Sequence, residues 1–309
     1  MIPIIFNPSS GGGRAVQYKE EIESLLIKHS IKYRLYMSKS EKHLRQLVKK
    51  VSEKGSEESL AVAGGDSTFT IVVNEMINNG LNKQLAMIGV GSSNDIPKEF
   101  NLETIEKSVL AIKKGKTKII DLGLIEDQEK GGIYFIGQAN IGLGAFVNRD
   151  VESSRFVKKR LPQVIQGIYS IIKNFKNKTV PLNLYIEFDS KKGYDSEWTI
   201  ALFSNIKYWA TGKLLLPDAI TDDGYLDGFF LKKSSFSNLI RLGILASKGK
   251  HTKDKRILIE RAKEYGVKSN IPFFIQVDGD IIGGWENPAM FNQVKIKNIP
   301  RKIEIITGT

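Results

Sequence analysis

The 309-residue chain has no cysteine. This excludes a disulfide scaffold, a cysteine-ligated zinc or iron–sulfur centre, and catalysis by a thiolate. Histidine is scarce: His29, His43 and His251 are scattered, and no His-Glu-x-x-His spacing exists. The Gly-x-Ser-x-Gly nucleophile elbow is missing, so an α/β-hydrolase has no support. No stretch approaches about 18 consecutive apolar residues, which leaves no candidate for a spanning helix. The opening Met1 to Ser10 lacks the basic and long apolar regions of a signal peptide. A cytoplasmic protein is expected, with room for peripheral attachment at the inner face of the membrane. Acidic residues are in deficit, 34 against 46 Lys and Arg, for a net charge of +12. Such a charge suits nucleic acid, an anionic membrane surface or phosphorylated small molecules. Nucleic acid fits worst, because no helix-turn-helix, zinc-finger or base-stacking pattern accompanies the charge.

What is present is a globular composition, 41% hydrophobic, and a length suited to roughly two domains. Short apolar strands alternate with amphipathic helices over residues 1 to 125. Strands are expected at Ile2 to Phe6, Tyr33 to Tyr36, Leu60 to Ala63 and Leu85 to Val90. Helices are expected around Ile22-Leu25-Leu26, Leu44-Leu47-Val48-Val51, Phe69-Val72-Val73-Met76 and Ile105 to Ile112. This βαβ series predicts an open, largely parallel sheet covered by helices. The remainder predicts mostly antiparallel strands: Tyr134 to Ile136, Leu182 to Phe188, Trp198 to Phe203, Leu226 to Leu231, Ile257 to Arg261 and Phe273 to Val277. Helices are expected from Val157 to Phe175 and Phe236 to Ala246, and two strand-like runs over Val294 to Ile306.

Three glycine-bearing loops follow strands in the first part. Asn7 to Gly13 can wrap a phosphate through backbone amides. It is neither a Walker A loop nor a Gly-x-Gly-x-x-Gly fingerprint. Gly64-Gly65-Asp66-Ser67-Thr68 opens a helix whose free N–H groups favour an anion, while Asp66 suits Mg²⁺ or a ribose or base. Gly91-Ser92-Ser93-Asn94-Asp95 offers hydroxyls and an acid. Each alone also reads as an ordinary capped turn; jointly they read as a nucleotide-phosphate site. Far along the chain, Asp278-Gly279-Asp280 is a turn whose second acid can serve as a general base for a hydroxyl nucleophile. Asp222-Asp223-Gly224-Tyr225 is either a solvated hairpin turn or a divalent-ion site.

In this order the motifs resemble the diacylglycerol kinase catalytic-domain family, which includes bacterial soluble lipid kinases and sphingosine and ceramide kinases and is related to NAD kinases. Asn7-Pro8 with Ser10-Gly11, Gly64 to Thr68, Gly91 to Asp95, Asp121-Leu122-Gly123, Asn140-Ile141-Gly142, Pro217 to Gly224, Gly249-Lys250-His251 and Asp278-Gly279-Asp280 carry the resemblance. It implies an α/β fold of two domains. One is an NAD-kinase-like three-layer nucleotide domain of residues 1–125 plus about 296–309. The other is an antiparallel β-sandwich lipid-substrate domain of residues 126–295. It implies ATP and Mg²⁺, and a lipid with a free hydroxyl as acceptor: diacylglycerol giving phosphatidate in phospholipid biosynthesis, or a sphingoid base, ceramide or other lipid alcohol. Carried over by position, Asn7, Ser10, Gly11, Gly64, Gly65, Ser67, Thr68, Gly91, Ser92, Asn94 and Asp95 hold the nucleotide. Asp66 organises Mg²⁺ and Asp280 is the catalytic base. Asp223 and Tyr225 correspond to a structural metal site. A homodimer is allowed.

Three departures bear on activity. Ser67 replaces a glycine and is costly if that position needs positive φ. Gly89 stands in place of proline. Asp280 replaces glutamate, shortening the carboxylate's reach. Together they motivate an alternative, a catalytically weakened nucleotide- or lipid-binding protein. Phe156 with Lys158, Lys159 and Arg160 reads either as a membrane-contact patch, basic beside apolar, or as an ordinary solvent-facing helix start.

Overall fold

The computed structural model describes residues 1–54, 58–127, 131–157, 163–247 and 249–308. Two compact units emerge. One comprises Met1–Leu122, Tyr208–Gly212 and Pro300–Thr309; the other comprises Gly123–Lys207 and Lys213–Ile299.

The first unit alternates β1 (Ile2–Phe6), α1 (Lys19–Lys28), β2 (Tyr33–Met37), α2 (Glu41–Lys54), β3 (Ser59–Gly64), α3 (Asp66–Asn78), β4 (Gln84–Gly89), α4 (Asp95–Glu99), α5 (Ile105–Lys114) and the start of β5 (Thr117–Asp127). β1 pairs in parallel with β2 and β3, and β3 with β4, in spatial order 2-1-3-4. A parallel sheet covered on both faces needs continuous apolar strands, and Ile4–Phe6, Leu60–Ala63 and Leu85–Ile88 are buried throughout. The helices bury the stripes their spacing predicts: Ile22 and Leu26 on α1, Leu44, Leu47, Val48 and Val51 on α2, Phe69, Val72, Val73 and Met76 on α3. α5 starts on Thr104, whose hydroxyl accepts the Lys107 amide, and stops at Gly115 in the left-handed region. The strand order sets the carboxyl ends of β1, β3 and β4 side by side, where ligands of such sheets bind.

The second unit is mostly antiparallel. In chain order come β6 (Gly131–Phe135), β7 (Gln138–Gly142), α6 (Leu143–Val157), α7 (Gln163–Lys176), β8 (Leu182–Phe188), β9 (Lys192–Ser204), the short strands β10 (Tyr208–Trp209) and β11 (Lys213–Leu214), and β12 (Leu226–Lys232). Then follow α8 (Phe236–Ser247), β13 (Ile257–Ala262), β14 (Glu264–Phe273), β15 (Gln276–Val277), β16 (Asp280–Ile281) and β17 (Phe291–Ile306). β10 and the end of β17 fall in the first unit. β9 pairs with β7, β8 and β12, β14 with β8 and β17, and β15 with β7 and β16. The core is aromatic: Phe203 meets Tyr265 edge-on at 5.0 Å, and Trp198 meets Phe230 at 5.8 Å. The buried Tyr265 hydroxyl donates to the carbonyls of Leu226 and Glu260, each 2.8 Å away.

The structure departs from the sequence expectations at four elements. Residues 140–142, a small-residue turn by the resemblance, belong to strand β7, and Gly142 turns with φ +87 directly into α6. Of the helix expected over Val157 to Phe175, α7 covers Gln163 onward and residues 158–162 lie outside the described ones, while most of α6 was not expected. β14 precedes the expected Phe273 to Val277 strand, which it splits. The two terminal runs form one strand, bent where Arg301 takes φ +49 and its amide donates to the buried Asp121 carboxylate at 2.8 Å. β17 pairs with β14 early, at Val294–Val267, and with β4 late, at Ile305–Leu85.

Candidate active site

The three glycine loops meet in the first unit. Asn7 Nδ2 donates to Thr68 Oγ1 at 2.9 Å, and Ser10 Oγ lies 3.3 Å from the same hydroxyl. The Gly65 amide donates to Ser10 Oγ at 3.2 Å. Arg14 holds the Gly11 carbonyl at 2.8 Å and reaches Ser92 Oγ at 3.4 Å. Asn94 folds back on its own loop, its Oδ1 accepting the Gly91 amide at 2.9 Å. Two glycines are required by close approach, one between loops and one within its own. A Cβ on Gly91 would stand 2.5 Å from Gly65 Cα, and one on Gly64 would stand 2.6 Å from Thr68 Cβ.

α3 begins at Asp66 with Gly65 as its cap and no side-chain hydrogen bond to the cap position. Its first-turn amides are the natural anion donors of a helix start. Ser67 sits inside that first turn with helical backbone and is not among the positive-φ residues. Its Cβ therefore carries no strain, which removes the physical objection to serine there. Gly89 is hemmed in by Asn94 and Pro97: a Cβ would meet them at 3.1 and 3.2 Å.

Asp66 has a structural task that sequence reasoning missed. Its two carboxylate oxygens accept the amides of Asp95 and Ile96, 3.1 Å each, and so cap the short helix α4. Asp95 in turn is buried and accepts the Gly212 amide, while Lys98 donates to the Gly212 carbonyl at 2.8 Å. Burial pushes the Asp95 carboxyl above its ordinary 3.8, opposed by the Gly212 and Thr211 amides and the Lys98 charge. Among the described residues no cluster of three His, Cys, Asp or Glu can hold a metal. Mg²⁺ keeps waters and takes only one or two carboxylates, so a single acid beside phosphate oxygens can suffice for it. The loop amides, hydroxyls and Asp66 thus fit a Mg²⁺-bound polyphosphate.

In the second unit, Asp278-Gly279 forms a two-residue hairpin turn between β15 and β16, with φ +43 and +101. The two acids have opposite settings. Asp278 is buried, and its carboxylate accepts the amides of Ile136 at 2.9 Å, Gly137 at 3.0 Å and Gln138 at 2.6 Å. Asp280 is half-buried at the start of β16. α6 packs beside this hairpin: Asn148 Nδ2 donates to the Gly279 carbonyl, and Phe146 meets Phe274 edge-on at 4.9 Å. Asn140 is fully buried on β7 and donates to Gln276 Oε1 at 2.7 Å. His251 is also buried, with Nε2 2.8 Å from the Leu215 carbonyl.

Asp223 and Tyr225 do not fit a structural metal. Asp223 Oδ2 lies 2.6 Å from Arg261 Nη2, and the same guanidinium reaches Asp227 at 3.4 Å. The Tyr225 carbonyl accepts Asn298 Nδ2 at 3.0 Å, and its ring faces Arg261 and Lys263. Arg261 already supplies the cation these acids call for. Lys158, Lys159 and Arg160 lie outside the described residues, as does the side chain of Phe156.

Residues 2–125 match the family model of the diacylglycerol kinase catalytic domain, and residues 137–307 match that of the YegS C-terminal NAD kinase beta sandwich-like domain. The chain belongs to the diacylglycerol kinase catalytic-domain family, with an α/β catalytic domain followed by the β-sandwich-like one. A diacylglycerol kinase of Staphylococcus aureus (strain bovine RF122 / ET3-1) is 28% identical over 98% of this chain and 90% of its own length. That of Staphylococcus carnosus is 27% identical over 98% and 94%. A crystal structure of a Bacillus anthracis str. Sterne protein superposes with a TM-score of 0.75 at 19% identity, covering 99% of this chain and 96% of that one. The crystal structure of a diacylglycerol kinase from the same strain gives 0.68 at 17%, with the same coverage. At family level the chain is therefore a lipid kinase. No helix among the described residues is long and apolar enough to cross a membrane.

Proposed function

We propose that the protein transfers the γ-phosphoryl group of ATP to the free hydroxyl of a lipid, diacylglycerol giving phosphatidate. The observation that carries this reading is the meeting of three glycine loops at adjacent strand ends, beside a helix start with no side-chain cap. Asn7, Ser10, Gly11, Gly64, Gly65, Ser67, Thr68, Gly91, Ser92, Asn94 and Asp95 form or brace the phosphate cradle. Asp66, which fixes the start of α4, would also hold Mg²⁺. Mg²⁺, when bound, neutralises charge on the phosphate oxygens. Asp280 accepts the proton of the acceptor hydroxyl from its half-buried place at the start of β16. Phosphoryl transfer asks mainly for positioning and charge stabilisation, which a rigid cradle supplies.

The test uses purified protein with labelled ATP, Mg²⁺ and diacylglycerol in mixed micelles. Labelled phosphatidate is expected from the parent, and background from Asp280→Asn. A parent no better than that variant overturns the proposal. A panel containing a sphingoid base, ceramide and an undecaprenol-like alcohol identifies the acceptor if another lipid is preferred.

A further inference from the structure

The segment that joins α8 to β13 takes no part in the site described above. It carries Lys250, Lys253, Lys255 and Arg256, and with Arg241 of α8 it lines a cavity of about 530 Å³. The one carboxylate in this lining is Asp254, so five cations face a single acid. Asp254 is already engaged: Arg256 holds it through Nε and Nη2, 2.8 Å each, and Arg241 Nη2 donates to the same carboxylate. These bonds, that of Arg256 foremost, keep the Asp254 carboxyl well below its ordinary 3.8. Among the described residues none of Lys250, Lys253 and Lys255 is paired with a carboxylate, and all three are exposed. Ordinary structural duties do not use these lysines. The last carbonyls of α8 have backbone donors: the Gly249 amide meets Ala246 at 3.1 Å and the Lys250 amide meets Leu245 at 2.9 Å, with Gly249 at φ +63. The turn is fixed by other groups. The buried His251 ring is held at the Leu215 carbonyl, the Asp254 amide donates to the His251 carbonyl at 3.0 Å, and the Arg256 amide donates to the Asp254 carboxylate at 3.1 Å. The cations are thus gathered on a fixed turn against their mutual repulsion, which an entering anion relieves.

We propose that this cavity is a binding site for a compact soluble polyphosphate, a small anion with two or more phosphate groups. Charge argues for more than one phosphate, because a single acid leaves most of the five cations unmatched. Guanidinium and ammonium groups both favour phosphate oxygens. The lining argues against a nucleotide or an acyl chain. Leu245 is its only apolar side chain among the described residues, and no aromatic ring is there to stack a base. The site lies within the second unit and is independent of the kinase reading.

The experiment titrates the full chain with inorganic pyrophosphate and follows the amide NMR shifts of residues 249–256, which report this cavity apart from the phosphate cradle. In the parent these shifts should move and saturate, while sodium chloride of equal ionic strength leaves them in place. The triple variant Lys250→Gln/Lys253→Gln/Lys255→Gln should bind here roughly tenfold more weakly or worse, with an unchanged melting temperature. Lys250→Gln alone should lose part of that affinity. A control with the same charge loss elsewhere, Lys113→Gln/Lys114→Gln/Lys116→Gln, removes exposed lysines of the first unit and should bind as the parent does. ATP should bind at residues 249–256 no more tightly than tripolyphosphate. Equal binding by parent and triple variant, an equal loss in the charge control, or the same shifts with chloride overturns the inference. A preference for ATP over tripolyphosphate refutes the ligand class. Shifts caused by phosphatidylglycerol vesicles and not by pyrophosphate assign the cations to a lipid surface and also overturn it. Lipid phosphorylation is not the readout, so failure of the kinase assay with these shifts intact refutes the kinase reading alone.

Discussion

Replacing Asp278 by Asn should destabilise the second unit without removing the proposed catalytic group. Asp278 has φ +43, a conformation Asn tolerates, so the substitution changes the acceptor and not the backbone preference. In the parent, Oδ1 accepts Gly137 and Gln138 while Oδ2 accepts Ile136. The best Asn rotamer keeps two amides on its one oxygen and turns an NH₂ toward the Ile136 N–H. A buried unpaired donor costs about 1–3 kcal/mol, and two charge-assisted bonds reduced to neutral ones cost about 1 kcal/mol each. The sum is about 3–5 kcal/mol. At about 2–4 °C per kcal/mol for a unit of this size, the melting temperature falls by roughly 6–20 °C. Denaturant unfolding and hydrogen exchange at the amides of residues 136–138 give the readout. Asp280→Asn is the partner measurement: activity should vanish while stability moves by less than about 1 kcal/mol. If Asp278→Asn unfolds like the parent, or if Asp280→Asn unfolds early and Asp278→Asn does not, the division of labour argued between these two acids is wrong.

Three further outcomes are expected. Gly91→Ala drives a Cβ to 2.5 Å from Gly65 Cα; it should cost about 1–3 kcal/mol and weaken ATP binding by calorimetry. Gly243→Ala, where a Cβ meets nothing within 4 Å, should be neutral or stabilising. Arg261→Ala removes the cation between Asp223 and Asp227; because Arg261 is 38% exposed, the loss should be only about 1–2 kcal/mol. Millimolar Mg²⁺ or Ca²⁺ should then raise the melting temperature of the variant more than that of the parent, and equal responses would count against the substitution of guanidinium for metal. For Asp95, raised by burial above 3.8, the folded state holds the proton more tightly than the unfolded state. Its stabilising contribution is therefore full below the ordinary carboxylate value and is lost as pH rises through the raised one. Melting curves of parent and Asp95→Asn should converge with acidification toward about pH 4 and separate toward neutrality, the variant being more stable there; parallel curves would refute the assignment.

The first unit was readable because its signals are local. Apolar runs such as Leu85–Ile88 and stripes such as Phe69-Val72-Val73-Met76 state period and burial at once, and the loops follow from where the strands stop. The second unit was less readable because its strands are set by distant partners. β14, Glu264–Phe273, holds Lys268, Ser269 and Asn270, so its pairing with Tyr185-Ile186-Glu187 carries information the segment itself lacks. β7 was not legible as a strand, because Asn140 pairs with Gln276, 136 positions later. Asp66 was picked out as a functional acid. Its capping of α4 was not visible, since nothing local links it to the amides of Asp95 and Ile96.

Periodicity also has a blind side, and α7 exposes it. A stripe at i, i+3, i+4, i+7 tells which residues share a face, not whether that face turns inward. The default assigns the apolar face to the core. Here the assignment is reversed by one acid, Asp150 on α6, whose carboxylate takes Ser170, Lys173 and Asn174 together. Three polar groups satisfied on a single carboxylate outweigh the usual preference, and Ile165, Ile168 and Ile172 are left outside. Where a helix carries both an apolar stripe and a polar stripe spaced by four, the side that finds a buried partner decides its orientation.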